Sequence, residues 1–249
     1  MFRLMLSDGD WERFQEGFRS VGIYRTCKLR MTVEGILWRM RVGSPWRDLP
    51  TEFGPWSTIY NQYNRWSEKG ILPKLFAFFC KGIDSEWQFM DGTIVRAHQH
   101  SAGARRGEEI AIGSSRGGKT TKIHMLADAH GNPVFFEITE GQVHDMQQSE
   151  ALLEHCKAGG SLINDKGYDS EKLREKAREK EITPVIPRRK NSEKPNPEFD
   201  QELYKLRHLV ENLFAKLKQF RGLATRFDKL KRNFASVVYL ACITLWIRL

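Results

Sequence analysis

The 249-residue chain carries 40 Lys and Arg against 31 Asp and Glu, for a net charge of +9. That length suffices for one large core, or one plus a small one, and the basic balance favours a polyanionic partner, nucleic acid ahead of an acidic membrane surface. Cys27, Cys80, Cys156 and Cys242 lie far apart without a CxxC pair, which reads as buried thiols of a reducing cytoplasm and argues against a disulfide frame or zinc site. The N-terminus lacks a signal-peptide pattern, and the longest apolar run, 235–247, is too short for a membrane span and predicts a core helix.

Residues 1 to about 80 read as helical. The apolar stripe Val33, Ile36, Leu37 and Met40, with Thr32 as a cap signal, predicts a helix over 31–42 that ends in the turn Gly43-Ser44-Pro45-Trp46. A second helix starts at Gly54-Pro55, with Pro at the first helical position, and buries Trp56, Ile59, Tyr60, Tyr63 and Trp66. Its other face presents Ser57, Thr58, Asn61, Gln62, Asn64 and Arg65, which bond phosphates and base edges. A helix-turn-helix reader of DNA and a plain helical bundle both fit that pattern.

From about 86 to 187 the pattern alternates. Strands are predicted over 87–95, 120–128, 133–139, 161–165 and 183–186, the second and third joined as a hairpin by Ala129-His130-Gly131-Asn132. Helices are predicted over 146–156 and 170–180. Three early strands followed by alternating helix and strand imply a mixed α/β sheet with helices on its faces. The stretches 102–118 and 188–197 read as basic loops.

The most telling segment is the helix predicted from Tyr204 to Lys218. At about 100° per residue, Tyr204, Arg207, Glu211 and Lys218 fall within an arc of roughly 60°, while Leu206, Val210, Leu213, Phe214 and Leu217 take a neighbouring, core-facing arc. Lys205, His208 and Lys216 point to solvent. Between Lys205 and Arg232 stand nine Lys or Arg against only Glu211 and Asp228, a density suited to phosphate contacts. A solvated face of weak i,i+4 pairs gives the same pattern on this helix alone.

Two more carboxylates end apolar strands: Asp91 after Trp87-Gln88-Phe89-Met90, and Asp165 after Leu162-Ile163-Asn164. If the first and fourth predicted strands are neighbours, the two aspartates lie side by side, where like charges repel unless a cation intervenes. Oxygen-only ligation favours Mg²⁺ or Mn²⁺ over Zn²⁺. With Glu211 the set suits two metal ions that promote phosphodiester cleavage.

Other patterns carry less. His98 and His100 share a strand face but have no third ligand at useful spacing, and His124 is isolated. In Gly141-Gln142-Val143-His144-Asp145 the aspartate reads as a helix N-cap. Gly113 to Thr120 satisfies G-x4-G-K-[ST], yet it precedes a strand and so lacks the strand-to-helix context of a phosphate loop.

Five segments in order, Trp46-Arg47-Asp48-Leu49-Pro50, Asp91-Gly92-Thr93-Ile94-Val95-Arg96-Ala97-His98, Arg116-Gly117-Gly118-Lys119-Thr120-Thr121-Lys122, Asp165-Lys166-Gly167-Tyr168-Asp169 and the Tyr-x2-Arg-x3-Glu-x6-Lys run from Tyr204 to Lys218, resemble the DDE transposases of bacterial insertion sequences, in the family numbered five. The resemblance covers nearly the whole chain. It implies a ribonuclease-H-like catalytic domain over 86–249; the helical region 1–80 is then read as a DNA-binding domain, with Asn61 and Arg65 on the polar helix face as candidate DNA contacts. It makes Asp91, Asp165 and Glu211 the ligands of two Mg²⁺ or Mn²⁺ ions, with Tyr204, Arg207 and Lys218 as supports contacting DNA. It further implies cleavage at the terminal inverted repeats of the mobile element, strand transfer into target DNA, a homodimer in the synaptic complex, and a cytoplasmic, nucleoid-associated protein. A nuclease that cuts without joining, and a catalytically silent DNA-binding repressor, are the alternatives.

Overall fold

The computed structural model describes residues 4–24, 27–103, 109–197 and 199–247; residues 104–108 of the first basic stretch lie outside the described residues. The chain divides into two compact units interleaved along the sequence: Met1–Lys81, Arg96–Ile110 and Leu217–Leu249 form one, and Gly82–Val95 and Ala111–Lys216 the other.

The first unit is helical. Helix α1 (Asp8–Ser20) opens with a capping box in which Ser7 Oγ accepts from the Asp10 amide and Asp10 returns the bond to the Ser7 amide. It buries Trp11, Phe14 and Phe18. Helix α2 (Leu29–Val42) begins two residues before the predicted start, and Thr32 is no cap: its hydroxyl bonds back to the Lys28 carbonyl within the first turn. After two short 3₁₀ turns come α3 (Trp56–Glu68) and α4 (Ile71–Phe79). On α3, Ile59, Tyr63 and Trp66 are buried as expected and Asn61 and Arg65 are exposed, but Trp56 is exposed too, with Arg47 stacked 5.7 Å over its ring.

The same unit takes helices from the far end of the sequence, α9 (Arg221–Ala224) and α10 (Lys231–Ile247) in the order given below. Residues of α10 are buried on nearly every face, so it needs apolar neighbours all round, and it contacts α2, α3 and α4. Its first turn is fastened by the Tyr63 hydroxyl, which donates to the Asn233 carbonyl, and by Ser67 Oγ at 3.0 Å from Asn233 Oδ1. Its last turn is capped by Arg13, whose Nη2 donates to the Trp246 carbonyl at 3.2 Å. A predicted helix at 235–247 is therefore found, longer than expected and packed with the N-terminal helices.

The second unit is built on the sheet. The seven strands are β1 (Trp87–Ala97), β2 (Gly113–Ser115), β3 (Gly118–Ala127), β4 (Pro133–Glu140), β5 (Ser161–Asn164), β6 (Thr183–Val185) and β7 (Thr225–Arg226), the last pairing with Arg96 and Ala97 in the first unit. The main order is β2-β3-β1-β5-β6, with β4 also pairing with β3; β3 and β4 form the predicted antiparallel hairpin, and β1, β5 and β6 run parallel. This is the ribonuclease-H-like mixed sheet, with helices α5 (Ser149–Glu154), α6 (Glu171–Glu179), α7 (Gln201–Lys205) and α8 (His208–Lys218) supplied by its connections. The short β2 lies inside the expected loop and pairs Gly113 with Thr120, so the segment that mimics a phosphate loop is a tight β-hairpin.

One polar network organises the parallel edge. Asp169, with a side chain 7% exposed, accepts from Arg174 Nη2 at 2.9 Å, Arg188 Nη1 at 3.2 Å and the Arg189 amide at 2.9 Å. The fully buried Arg174 also donates to the Ile186 carbonyl at 2.8 Å and to Asn196 Oδ1 at 3.3 Å. Burial pushes the Asp169 carboxyl up, but these donors prevail and hold it below the usual range. Its contribution to stability is therefore present at neutral pH and fades only as the pH falls below about 3.9. Asp169→Ala strands the Arg174 charge in the core; denaturant unfolding at pH 7 is expected to read a loss of about 3–5 kcal/mol.

Candidate active site

Parallel pairing of β1 with β5 sets Met90 opposite Asn164, so the next residues, Asp91 and Asp165, are neighbours; Asp165 follows the last residue of β5, whereas Asp91, expected at a strand end, lies within β1, which runs on to Ala97. The register is locked from the side: the buried Asn164 side chain accepts from the Met90 amide at 2.9 Å. Gly160, at φ +68°, allows β5 to begin against the Glu86 carbonyl, which a Cβ there would meet at 2.3 Å.

Asp165 caps the 3₁₀ turn that follows it, its Oδ1 accepting from the Gly167 amide at 2.7 Å. Asp91 Oδ1 accepts from the Gly92 amide at 2.8 Å, and its Oδ2 pairs with Arg207 Nη1 at 3.2 Å. Arg207 pairs through Nη2 with Glu211 as well, so one guanidinium joins Asp91 to Glu211. Burial raises the Asp91 carboxyl to about 6; the Gly92 amide and Arg207 oppose the shift, and the nearby Asp165 and Asp145 add to it. The charged Asp91 thus costs stability that the protein regains as the pH falls from about 6 toward the unfolded value.

The stretch from Tyr204 to Lys218 is not one continuous helix. It breaks at Leu206–Arg207, where i→i−3 bonds such as Leu206 N to Leu203 O (3.0 Å) and Leu209 N to Leu206 O (2.9 Å) tighten the chain. Arg207 and Glu211 still meet. Tyr204 stands on the separate helix α7, its ring 5.4 Å from that of Phe199. Lys218 ends α8 and is exposed; Val210, Leu213, Phe214 and Leu217 are buried as expected. Asn61 and Arg65 belong to the other unit, which also holds His98 and His100. His98 caps a 3₁₀ turn that contains His100, its Nδ1 accepting from the His100 amide, so the two are not a strand pair.

Sequence reasoning missed a fourth acid. Asp145 is no helix N-cap: His144 precedes a 3₁₀ turn without a side-chain cap, and the Asp145 carboxylate lies against Gly92, whose hydrogen gives it room, since a Cβ there would stand 2.1 Å from Oδ1. It is held by Lys122 (3.4 Å) and by the buried His124, whose Nδ1 is 3.2 Å away and whose Nε2 is anchored at 2.8 Å by Thr139 Oγ1. Burial raises the Asp145 carboxyl, but His124 and Lys122 outweigh it and bring it below the usual range. The signal available in the sequence was the alternation of Lys122 and His124 on one face of β3. Tyr168 completes the surroundings. Its hydroxyl is buried without a hydrogen-bond partner among the described residues, and burial together with Asp145, Asp91 and Asp165 pushes its ionisation well up.

Among the described residues, no three His, Cys, Asp or Glu side chains already converge as a closed metal shell. The donor chemistry fits a hard divalent cation nonetheless: the three expected ligands are all carboxylates, Asp165 keeps an oxygen unused, and the side chain of Glu211 is 53% exposed.

A mixed ribonuclease-H-like sheet that sets Asp91, within β1, beside Asp165, just past the end of β5, matches a class of proteins that work on phosphodiesters. The sequence matches the family described as "Transposase DDE domain" over residues 86–246, and that described as "Putative transposase of IS4/5 family" over residues 6–76. A Sinorhizobium fredii protein, y4sN, is 42% identical over 106 residues, 41% of this chain and 83% of that protein. The Brucella ovis "Putative transposase for insertion sequence element IS6501" is 36% identical over 133 residues, 52% of this chain and 99% of that protein. A cryo-EM structure of the piggyBac transposase synaptic complex with hairpin DNA aligns at a TM-score of 0.47 and 12% identity, over 97% of this chain and 65% of that one. The chain belongs to the DDE transposase family. No helix among the described residues is long and apolar enough to cross a membrane.

Two outcomes follow from the charge arrangement. In chelator at pH 7.5, Asp91→Asn relieves a buried, repelled charge and is expected to raise unfolding stability by about 1–2 kcal/mol, read from the denaturant midpoint. Asp145→Asn keeps the shape but drops the charge that Lys122 and His124 hold; single-turnover cleavage should slow about 10–100-fold with DNA affinity unchanged.

Proposed function

We propose that this chain is a transposase of the insertion-sequence family numbered five, which binds the terminal inverted repeats of its element, cuts the DNA strands there and joins the freed 3′-hydroxyls to target DNA. The observation that carries the reading is the pairing of β1 with β5, which aligns Asp91 and Asp165, together with the Arg207 bridge from Asp91 to Glu211. The family match over residues 86–246 supports it.

Asp91, Asp165 and Glu211 would hold two Mg²⁺ or Mn²⁺ ions. Such ions supply activation of the attacking water or 3′-hydroxyl and stabilisation of charge on the leaving oxygen. Arg207 offers a planar donor fork matched to a phosphodiester, kept in place by the carboxylates on either side. Lys218, exposed at the end of α8, adds a point charge for the DNA backbone, and Tyr204 supports the same strand. Asn61 and Arg65, exposed on α3, are the candidate contacts to the repeat sequence, and residues 1–80 the DNA-binding region. Joining two ends requires both in one complex, so the working form is a homodimer on DNA, in the compartment of the bacterial chromosome.

The test is cleavage of labelled duplex carrying the element's ends, with Mg²⁺, with chelator, and with Asp91→Ala, Asp165→Ala or Glu211→Ala. Metal-dependent nicking at the repeat boundary, reduced at least about 10³-fold in each variant with binding retained, is expected. Pre-cut ends that are never joined to target DNA would indicate a nuclease instead. Binding without cleavage in the parent chain would indicate a silent repressor.

A further inference from the structure

Next to Asp165 opens a cavity of about 620 Å³, lined by Asp165, Lys166, Gly167, Arg189, Lys190 and Asn191. Its volume lies within the roughly 300–1,000 Å³ of ligand sites. Three cations face one carboxylate there, and the carboxylate is the expected metal ligand.

Cations on a protein surface normally find acids. Lys172 and Lys176 both reach Glu150, and Lys205 reaches Glu202. Around this cavity the acids are committed elsewhere: Asp169 to Arg174, Arg188 and the Arg189 amide, and Glu171 to Arg188 and Lys194. Among the described residues, Lys166, Arg189 and Lys190 have no carboxylate partner within ion-pair distance. Arg189 spends only Nε and Nη2, on the Lys166 and Gly167 carbonyls at 3.4 and 3.3 Å, both long bonds, and its Nη1 is uncommitted.

The wall is also fixed. The Arg189 amide is anchored to Asp169, and the loop beyond it is closed by Arg188 Nη2 on the Pro195 carbonyl at 3.0 Å and by Asn196 Nδ2 on the Ile186 carbonyl at 2.9 Å. A positive pocket on an anchored loop presents its charges without the ordering cost that a free loop incurs on binding.

We propose that this pocket is a phosphodiester subsite of the DNA strand at the Asp165 end of the active site, with Lys166, Arg189 and Lys190 as its charge contacts. The inference rests on the transposase reading and adds to it where one strand is gripped. The ligand is a DNA backbone phosphate and not a free anion.

The experiment measures binding of the full chain to a labelled DNA duplex of arbitrary sequence with a single-stranded 3′ overhang, in chelator, across a salt series. The proteins are the parent, Lys166→Gln/Lys190→Gln, and Lys172→Gln/Lys176→Gln, which removes the same net charge at two lysines that pair with Glu150 and do not line the cavity. Inorganic phosphate is titrated separately against the parent. The subsite predicts that Lys166→Gln/Lys190→Gln binds about 10-fold more weakly at physiological salt and that its log–log salt slope is shallower by nearly 2, close to 0.9 for each phosphate no longer neutralised. The Lys172→Gln/Lys176→Gln protein should keep the parent slope, and thermal melting of Lys166→Gln/Lys190→Gln should be unchanged, because Lys166 and Lys190 are exposed and pair with no carboxylate among the described residues. Equal slopes for the parent and Lys166→Gln/Lys190→Gln overturn the subsite while leaving the transposase reading intact. Saturable phosphate binding that disappears in that variant, with duplex binding unchanged, also overturns it, since the pocket then holds free anions only. A parent chain that binds no duplex even at low salt overturns the transposase reading and the subsite together.

Discussion

The site depends on repulsion contained by backbone register. Two aspartates on adjacent parallel strands, with a third beside Gly92, are an unfavourable cluster that would relax by slipping the strands apart. Slippage is prevented away from the charges, by the Asn164 side chain on the Met90 amide, by the ladder from Trp87 to Met90 and by Gly160 tucked under the Glu86 carbonyl. The apolar core of Met90, Leu126, Leu152, Leu162 and Tyr168 packs around this pairing and gives it stiffness. Carboxylates held this close by surrounding structure are the donor set that suits a hard divalent cation.

The charges around the aspartates are graded. Arg207 is shared by Asp91 and Glu211, Lys122 and His124 both hold Asp145, and Asp169, a few residues beyond Asp165, is met by two guanidinium groups and a backbone amide. The result is one acid, Asp169, held among dedicated donors, and others, at the candidate site, whose partners are shared or few. The distinction follows from partners: Asp169 has three strong donors, whereas Asp91 is buried with one amide and a shared arginine.

Much of this was legible in the residues. Short apolar runs bounded by turn residues located β1, β3, β4 and β5, and the acid after each of two runs was visible, although only Asp165 ends its strand and Asp91 lies within β1. The apolar arc of α8 was read correctly because Val210, Leu213, Phe214 and Leu217 keep helical spacing. The break before Arg207 was not legible, since no Gly or Pro marks it and local i→i−3 bonding decides it. Asp145 was misread because an acid before a helix has an ordinary local explanation, and only the approach of β3 to Gly92 gives it another. Trp56 was assigned to the core by type, yet a tryptophan at the start of a helix can be covered by an arginine instead. The grouping of α10 with the N-terminal helices was hidden because contiguous sequence suggests contiguous domains.

That grouping bears on how the chain is made. The Tyr63 hydroxyl finds its acceptor 170 residues further along, and α10 supplies apolar surface that α2, α3 and α4 otherwise lack. The helices synthesised first must therefore wait with that surface open until the residues of α10 have emerged, which places a long-range closure among the slow events of folding and makes the growing chain dependent on protection against aggregation.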